Sequence, residues 1–207
     1  SGAGFGASGA GALGTALALS HILDPEMDYE RAAGFAHIAE IENHTGLGDV
    51  ISQTVGGIEI RLKAGGPGVG EVINISTPDL LYVVLAGSPG LETSKILTNP
   101  SSRARINTKG DELISKIVDD PTIDTFVDCS RAFSNEIGLK TLRIEKALDE
   151  LDNAGLSNSS MVMLGDSVFC LCDEVESNKA EEILSRYWKT SEVFVTRVEP
   201  DGGRLLE

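Results

Sequence analysis

The chain opens with Ser1-Gly2-Ala3-Gly4-Phe5-Gly6-Ala7-Ser8-Gly9-Ala10-Gly11, and residues 12–19 continue it as a run of small residues and leucines. This run predicts a helix that ends near Leu23, before Asp24-Pro25. A glycine-rich loop that enters a helix N-terminus offers unpaired N–H groups, admits close approach and lies at the positive end of the helix dipole. The stretch therefore predicts a phosphate-binding loop.

The same loop also matches two other nucleotide-binding patterns in part. Gly4 to Gly9 fits the G-x-G-x-x-G pattern of dinucleotide-binding folds, which requires an acid at the end of a second strand about 20 residues further on. Asp24 has nearly that spacing, but it follows a helix, precedes Pro25 and leads into another helix. The Gly-Lys-Ser/Thr of P-loop ATPases is missing. The sequence thus disfavours a nicotinamide, flavin or P-loop site.

Composition sets the class of protein. The chain has 207 residues, 41% of them hydrophobic, which suits one large domain or two small ones. A net charge of −15, from 32 acidic and 17 basic residues, disfavours binding to nucleic acid or to anionic membranes through charge. A small anionic substrate remains compatible with this charge if the pocket is locally basic.

The cysteines and histidines give no sign of a disulfide framework or a zinc site. Cys170 and Cys172 lie two apart in an apolar, strand-like run, so we expect both to be buried small residues, and Cys129 stands apart from them. The three histidines lack the spacing of zinc ligands. Because no signal peptide or run of transmembrane length occurs, we expect a cytoplasmic protein.

Hydrophobic periodicity predicts helices and strands in an α+β arrangement. Leu80–Ala86 is apolar enough to be a central strand, and Gly87-Ser88-Pro89-Gly90 marks the predicted domain boundary. The predicted helices are 28–43, 93–97, 103–119, 122–137, 141–154 and 179–187, and the other predicted strands are 58–62, 72–75, 160–164, 167–172 and 192–198.

Two acids follow the loop at informative places. Glu40 borders the apolar stripe of the second helix, and Asp49 lies in a glycine-rich turn before the short apolar run Val50–Val55. The predicted stripe consists of Ala32, Ala33, Phe35, Ala36, Ile38, Ala39 and Ile41. A lone acid on a helix usually faces solvent. Together, however, the two acids could converge on a magnesium ion and a substrate hydroxyl. Ser8, at the start of the helix, could be a ligand of the metal or donate a hydrogen bond to a phosphate. Phosphoryl transfer needs such a set.

These residues resemble a known superfamily. The loop from Gly4 to Ala10 is similar to the G-L-G-S-S-A-A loop of the GHMP kinases, and Ala39-Glu40 with Gly46-Leu47-Gly48-Asp49 resembles their downstream acidic segment. Within the superfamily, the sequence is most similar to the archaeal pantoate kinases. This similarity extends over nearly the whole chain. The matching segments are 36–40, 45–50, 56–61 and 97–100.

The resemblance implies a GHMP-kinase-like α+β fold of two domains. Residues 1–87 would be the remainder of a ribosomal S5-like, ATP-binding and catalytic domain, and residues 88–207 a ferredoxin-like domain. Because the chain lacks an initiator Met and begins inside the loop, we expect an N-terminally truncated sequence. The implied activity is ATP-dependent phosphorylation of the pantoate hydroxyl to 4-phosphopantoate, a step of archaeal coenzyme A synthesis.

The resemblance also implies roles for individual residues. ATP phosphates would lie on Gly2, Gly4, Gly6, Ala7, Ser8, Gly9 and Ala10, and Mg²⁺ would be held by Ser8 and Glu40. Asp49 would be the catalytic acid/base or would orient the hydroxyl.

Three residues are candidates for contacting pantoate, and each has a second interpretation. Arg61 could pair with the substrate carboxylate or be a surface arginine on a strand. His37 could bind substrate or be a core histidine. Thr93 could line the pocket or cap a helix.

The chain departs from the family pattern at the third motif. That motif is usually a run of glycines, whereas Leu164-Gly165-Asp166-Ser167-Val168 contains one. This departure argues against glycine-rich members of the superfamily such as galactokinase. The alternatives are a GHMP kinase with homoserine, mevalonate or shikimate as its substrate, and a catalytically silent nucleotide-binding homologue. A homodimer is also compatible with the sequence.

Overall fold

A computed structural model describes residues 2–46, 48–90, 100–163 and 165–206. The chain packs as two compact units. We call Gly6–Ile75 with Glu199–Glu207 the helical unit, and Ser1–Phe5 with Ser76–Val198 the sheet unit.

In its described residues, the helical unit contains three helices and one hairpin. The helices are α1 (Ala7–Leu23), α2 (Tyr29–Glu42) and α3 (Asp49–Val55), and the antiparallel strands are β1 (Ile58–Lys63) and β2 (Glu71–Ile75). Asp28 begins α2 by accepting a hydrogen bond from the Arg31 N–H at 3.2 Å. The core that joins the helices consists of Leu13, Leu17, Ala32, Ala33, Ala36 and Val50.

Helix α2 buries only part of its predicted apolar stripe. Its alanines pack into the core, whereas Phe35, Ile38 and Ile41 are 50%, 53% and 43% exposed. The predicted stripe spans too wide an arc of the helix to pack against one neighbouring surface. Residues 35, 38 and 41 are spaced at i,i+3 and form a separate row along the helix. Glu40 shares the buried face with the alanines and is 5% exposed.

Helix α3 lies where the sequence predicted a turn and a short apolar run. Asp49 is its first residue, and the preceding Gly48 caps it. A helix of 7 residues is too short to display a 3.6-residue period clearly, which explains why the pattern did not reveal it. As a result, Asp49 lies at the start of a helix, and the residues one turn after it lie on the same face of that helix.

The sheet unit is built on four antiparallel strands. In chain order it contains β3 (Tyr82–Ser88), α4 (Pro100–Asp119), α5 (Ile123–Ile137), α6 (Leu142–Asn153), β4 (Ser159–Met161), β5 (Asp166–Cys172), α7 (Glu174–Leu184) and β6 (Val193–Arg197). The strand order is β4-β5-β3-β6, so the prediction that β3 is central is confirmed. Helices that alternate with antiparallel strands in this order form a ferredoxin-like, α+β arrangement, as predicted.

The chain passes from one unit to the other after Phe5, after Ile75 and after Val198. Strand β3 pairs with β5 along its whole length and with β6 over most of it, so it belongs to the sheet unit. The predicted division into domains at residues 87 and 88 stays a prediction. The predicted helix at residues 93–97 lies outside the described residues.

Two further details of the sheet unit concern its helices and thiols. Helix α7 begins at Glu174, not at Lys179, because Asp173 and Glu176 form a capping box. Cys129, Cys170 and Cys172 are buried thiols, which confirms the prediction that Cys170 and Cys172 are buried. Within the described residues, no helix combines the length and apolarity needed to cross a membrane.

Arg131 joins three elements of the sheet unit, which gives a stability prediction. From α5 it makes two 2.8 Å hydrogen bonds to the Asp152 carboxylate and donates to the Ser159 carbonyl oxygen at 2.6 Å. Arg131→Met should lower the free energy of unfolding by about 2–3 kcal/mol, because charged hydrogen bonds are lost and the carbonyl oxygen of the buried Ser159 loses this donor. Chemical denaturation followed by circular dichroism measures the change.

The matched control is Arg186→Met in the same unit. Arg186 also pairs with carboxylates, those of Glu150 and Glu182, but its side chain is 54% exposed. Its loss should therefore change stability by less than about 1 kcal/mol. Equal effects of the two substitutions would contradict the structural role assigned to Arg131.

Candidate active site

The centre of the site is the buried carboxylate of Glu40. Each of its two oxygens accepts a hydrogen bond from a hydroxyl group. Ser8, in the first turn of α1, donates to Oε2 at 2.9 Å, and Thr45 donates to Oε1 at 2.7 Å. Because Thr45 also donates its backbone N–H to the Glu40 carbonyl oxygen at 3.0 Å, the chain after α2 turns tightly around this acid. Ser8 and Glu40, predicted to act together, are in direct contact.

Asp49 lies beside this pair. A Cβ at Gly46 would stand 2.6 Å from Glu40 Oε2 and 3.0 Å from Asp49 Oδ2, so the two carboxylates face the same small space. A Cβ at Gly9 would stand only 2.9 Å from that of Asp49, so α1 and α3 approach closely at this glycine. Ser8, Glu40 and Asp49 therefore converge within one unit.

The environment alters the acidity of Asp49. Burial raises the pKa of its carboxyl above the ordinary value, and the neighbouring Glu40 carboxylate raises that pKa further. The Arg61 guanidinium acts in the opposite direction. A carboxyl with a raised pKa is closer to the strength needed to exchange a proton near neutral pH.

Arg61 approaches the site from strand β1. Its guanidinium lies against Gly48, where any side chain would overlap it, and its charge reaches Asp49. The residue is exposed, so a ligand can reach it. Arg61, a predicted substrate contact, therefore lies close to Asp49.

The N-terminus of α1 supplies hydrogen-bond donors. Gly6 begins the helix in a left-handed conformation with φ 65°, and no side chain caps the helix there. The first turn holds no acidic residue. Its N–H groups, at residues 7–9, precede the first intrahelical partners and suit an anion.

The earlier half of the loop belongs to the sheet unit. Gly4 has φ 81°, and a Cβ there would stand 2.9 Å from the Met163 carbonyl oxygen and 3.0 Å from the Val162 side chain. Gly165 packs against Ala3 so closely that a side chain would overlap its carbonyl oxygen. Gly165, the single glycine of the third motif, therefore contacts the start of the loop.

The other predicted substrate residues are less directly placed. His37 lies one turn before Glu40 on α2 and is half-buried, with its ring against Gly66 in the β1–β2 connection. Thr93 lies outside the described residues. Their roles stay predictions.

Sequence analysis missed two residues at the site. Thr45 lies five residues after Glu40. Its position in the turn before Asp49 is the feature of the sequence that could have indicated it. Gln53 lies one turn after Asp49 on α3 and donates its amide to the Gly6 carbonyl oxygen at 2.9 Å. An i,i+4 relation to Asp49 would have indicated Gln53 had the helix been predicted.

The donor set fits magnesium and phosphate. Ser8 and Glu40 offer a hydroxyl and a carboxylate, which are oxygen ligands of the kind that Mg²⁺ prefers, and Asp49 adds a second carboxylate nearby. In the described part of the chain, no three His, Cys, Asp or Glu side chains form a metal-holding group. Mg²⁺ bound with phosphate uses only one or two carboxylates and otherwise takes waters and phosphate oxygens.

Known proteins resemble this chain over nearly its whole length. It is 39% identical over 209 residues to a pantoate kinase of Thermococcus kodakarensis, covering 99% of this chain and 67% of the relative. It is 35% identical over 184 residues to a pantoate kinase of Methanocaldococcus jannaschii, covering 88% of this chain and 65% of the relative. This chain thus spans about two thirds of the length of these relatives.

A solved structure described as a phosphotransferase related to the CoA biosynthesis pathway superposes with a TM-score of 0.81. It is 35% identical, with 99% of this chain and 65% of that chain covered. Residues 1–57 match the GHMP kinases N terminal domain, and residues 122–190 match the GHMP kinases C terminal domain. The chain belongs to the GHMP kinases.

Proposed function

We propose that the protein is an ATP-dependent kinase that phosphorylates the hydroxyl of pantoate to give 4-phosphopantoate. The observation that carries this proposal is the convergence of Ser8, Glu40 and Asp49 beside the N-terminus of α1. Phosphoryl transfer needs a phosphate cradle, a site for a metal ion and an acid near the attacking hydroxyl. The helical unit offers a candidate for each of these three requirements.

The start of α1 would hold the transferred phosphate. Its first-turn N–H groups offer several donors, and the helix dipole favours the negative charge of the triphosphate. Ser8 and Glu40 would hold Mg²⁺. When bound, Mg²⁺ neutralises charge that develops on the phosphate oxygens.

Asp49 would act on the attacking hydroxyl. In the reaction the hydroxyl oxygen forms a bond to the γ-phosphorus, the bond to the bridging oxygen breaks, and ADP leaves. Asp49 would orient the hydroxyl and accept its proton. Its raised pKa, caused by burial and by Glu40, suits a group that takes up a proton during the transfer.

The substrate is inferred from charge and from the relatives. The chain carries a net charge of −15, so a carboxylate substrate needs a local cation. Arg61, beside Asp49, offers a planar guanidinium that can bind a carboxylate through two hydrogen bonds. The relatives described above are named pantoate kinases, and pantoate has both the carboxylate and the hydroxyl. His37 and Thr93 remain candidates for further contacts with it.

The direct test is identification of the product. The full-length protein should convert pantoate, ATP and Mg²⁺ into ADP and a compound in which one hydroxyl of pantoate carries phosphate. Mass spectrometry and ³¹P NMR with proton coupling identify the phosphorylated position. Absence of the phosphate ester under conditions in which ATP binds would overturn the proposed substrate.

Arg61→Ala should weaken pantoate binding selectively. Because a charged hydrogen-bonded pair is lost, the KM for pantoate should rise by about 10–100-fold, while the KM for ATP stays within about twofold. Removing Arg61 also removes the charge that lowers the pKa of Asp49, so the acid limb of the pH–rate profile should move to higher pH. Steady-state kinetics with each substrate varied in turn measure both effects.

Lys63→Ala is the matched control, two residues further along the same strand. Lys63 pairs with Glu71 at 3.2 Å, and its side chain is 57% exposed. It should leave both KM values unchanged. A larger effect of Arg61→Ala on ATP than on pantoate would assign the arginine to the nucleotide instead.

A further inference from the structure

We propose that Gln53 is a positioning residue that fixes the start of α1 relative to Asp49. The proposal rests on the kinase function proposed above, because it concerns the alignment of bound phosphate with the acid. Gln53 lies on α3 one turn after Asp49 and contacts the loop directly. Four observations within the helical unit support this role.

The first observation is the hydrogen bond to the residue that begins α1. The Gln53 side-chain amide donates to the Gly6 carbonyl oxygen at 2.9 Å, and the same carbonyl receives the Ala10 N–H at 3.0 Å as the first bond of the helix. Gly6 has no side-chain cap. Gln53 therefore holds the carbonyl on which the geometry of the first turn depends.

The second observation is that α3 and α1 touch at Gly9. A Cβ at Gly9 would stand 2.9 Å from the Asp49 Cβ and 3.3 Å from the Gln53 Oε1. Asp49 and Gln53 thus lie side by side against the first turn of α1. A shift of Gln53 relative to Gly6 would move the donors of that turn relative to the acid.

The third observation concerns the other end of the same side chain. Gln53 Oε1 is buried, and it has no hydrogen-bond partner within the described ranges. A buried unpaired amide oxygen is unfavourable, so a residue needed for packing only would be better as methionine or leucine. The amide is kept, we infer, for the bond that its nitrogen makes to Gly6.

The backbone of Gln53 is fixed as well. Its carbonyl oxygen accepts the Gly203 N–H at 2.7 Å, so the C-terminal segment of the helical unit holds the end of α3. A side chain on an anchored helix can transmit that position to its partner. Gln53 thereby connects an anchored helix to the phosphate-binding turn.

The test compares Gln53→Met with Thr54→Val in the full-length protein. Met keeps the length of the side chain but cannot donate, so the affinity for a non-hydrolysable ATP analogue should fall by about fivefold, since one hydrogen bond is lost. The kcat should fall too, and the KM for pantoate should stay unchanged. Thr54 donates at 2.7 Å only to Ile51 of its own helix among the hydrogen bonds described, so its variant should bind the analogue normally.

Gln53→Glu keeps the test decisive if the Met variant folds poorly. The introduced carboxyl group can donate to the Gly6 carbonyl oxygen while it is protonated, whereas the ionised carboxylate repels that oxygen. The affinity deficit relative to the wild-type protein should therefore grow as the pH rises through the ordinary range of a glutamate carboxyl, from about pH 4 to about pH 6, and stay constant above it. A purely structural role would lower the melting temperature without this pattern.

The outcomes separate the two proposals. If the wild-type protein binds the ATP analogue and the Met and Glu variants bind it equally well at every pH, the role of Gln53 is overturned and the kinase function stands. If the wild-type protein binds no nucleotide, both proposals are overturned. If the variants weaken nucleotide binding but pantoate is not phosphorylated, the role of Gln53 stands and the substrate assignment fails.

Discussion

Asp49→Asn should lower kcat by about 10²–10⁴-fold, the range that one positioned acid or base contributes, while the affinity for ATP changes little. The asparagine has the shape of Asp49 but accepts no proton from the attacking hydroxyl. Steady-state kinetics and a separate nucleotide titration measure the two effects. Asp24→Asn, at the end of α1, is the control and should retain wild-type turnover.

The same substitution should raise the thermal stability of the protein at neutral pH. The pKa of Asp49 is raised in the folded state by burial and by Glu40, so folding favours its protonated form. Below about pH 4 the carboxyl is protonated in both the folded and the unfolded states, and the charge has no effect. As the pH rises, the ionised Asp49 increasingly destabilises the fold, and asparagine removes this effect.

The melting temperature of Asp49→Asn should therefore exceed that of the wild-type protein at pH 7, and the difference should shrink toward pH 4. Differential scanning fluorimetry across this range measures it. Loss of activity with a gain in stability is typical of a residue kept for chemistry rather than for folding. Equal turnover, or a lower melting temperature at pH 7, would contradict the account of Asp49.

Glu40→Gln should have the second large effect. The glutamine keeps the volume of the buried side chain but removes the charge that would hold Mg²⁺, a contribution of several kcal/mol to the transition state. We therefore expect kcat/KM to fall by about 10²-fold or more. The concentration of Mg²⁺ needed for half-maximal activity should rise as well, which Asp49→Asn should not cause.

Glu42→Gln is the matched control for this variant. Glu42 ends the same helix, α2, but is exposed, so its loss should leave activity and the Mg²⁺ requirement unchanged. A Glu40→Gln variant with the wild-type Mg²⁺ requirement would assign the carboxylate to holding Ser8 and Thr45 instead of a metal ion.

The sequence predicted the elements that have strong local signals. Helix α1 was recognisable because a long run of small residues and leucines ends before Asp24-Pro25, and β3 because its residues are continuously apolar. Helix α3 was not, since Gly46 and Gly48 read as turn residues and the helix itself has only 7 residues. The start of α7 was placed too late because the capping box at Asp173 and Glu176 was overlooked.

The site was predictable in part. Ser8 and Glu40 are 32 positions apart, yet the loop pattern and the place of the acid on an otherwise apolar helix indicated both of them. Thr45 and Gln53 were missed because their roles depend on tertiary contacts, namely a hydroxyl bond to Glu40 and an amide bond to Gly6. Spacing along the chain carries no information about such contacts until the helices are placed.

The pattern also overestimated what α2 buries. Phe35, Ile38 and Ile41 read as part of one core stripe, but they lie on a second face of the helix and are exposed. Hydrophobicity identifies residues able to be buried, whereas the partner surface determines which of them are.

The measurement that tests the central claim most directly is kcat/KM of the full-length protein for a panel of acceptors at saturating ATP and Mg²⁺. The panel contains pantoate, homoserine, mevalonate and shikimate. The account predicts that pantoate is preferred by at least about 10²-fold, because its carboxylate and hydroxyl are both recognised. Preference for another acceptor, or no phosphoryl transfer to any of them, would contradict it.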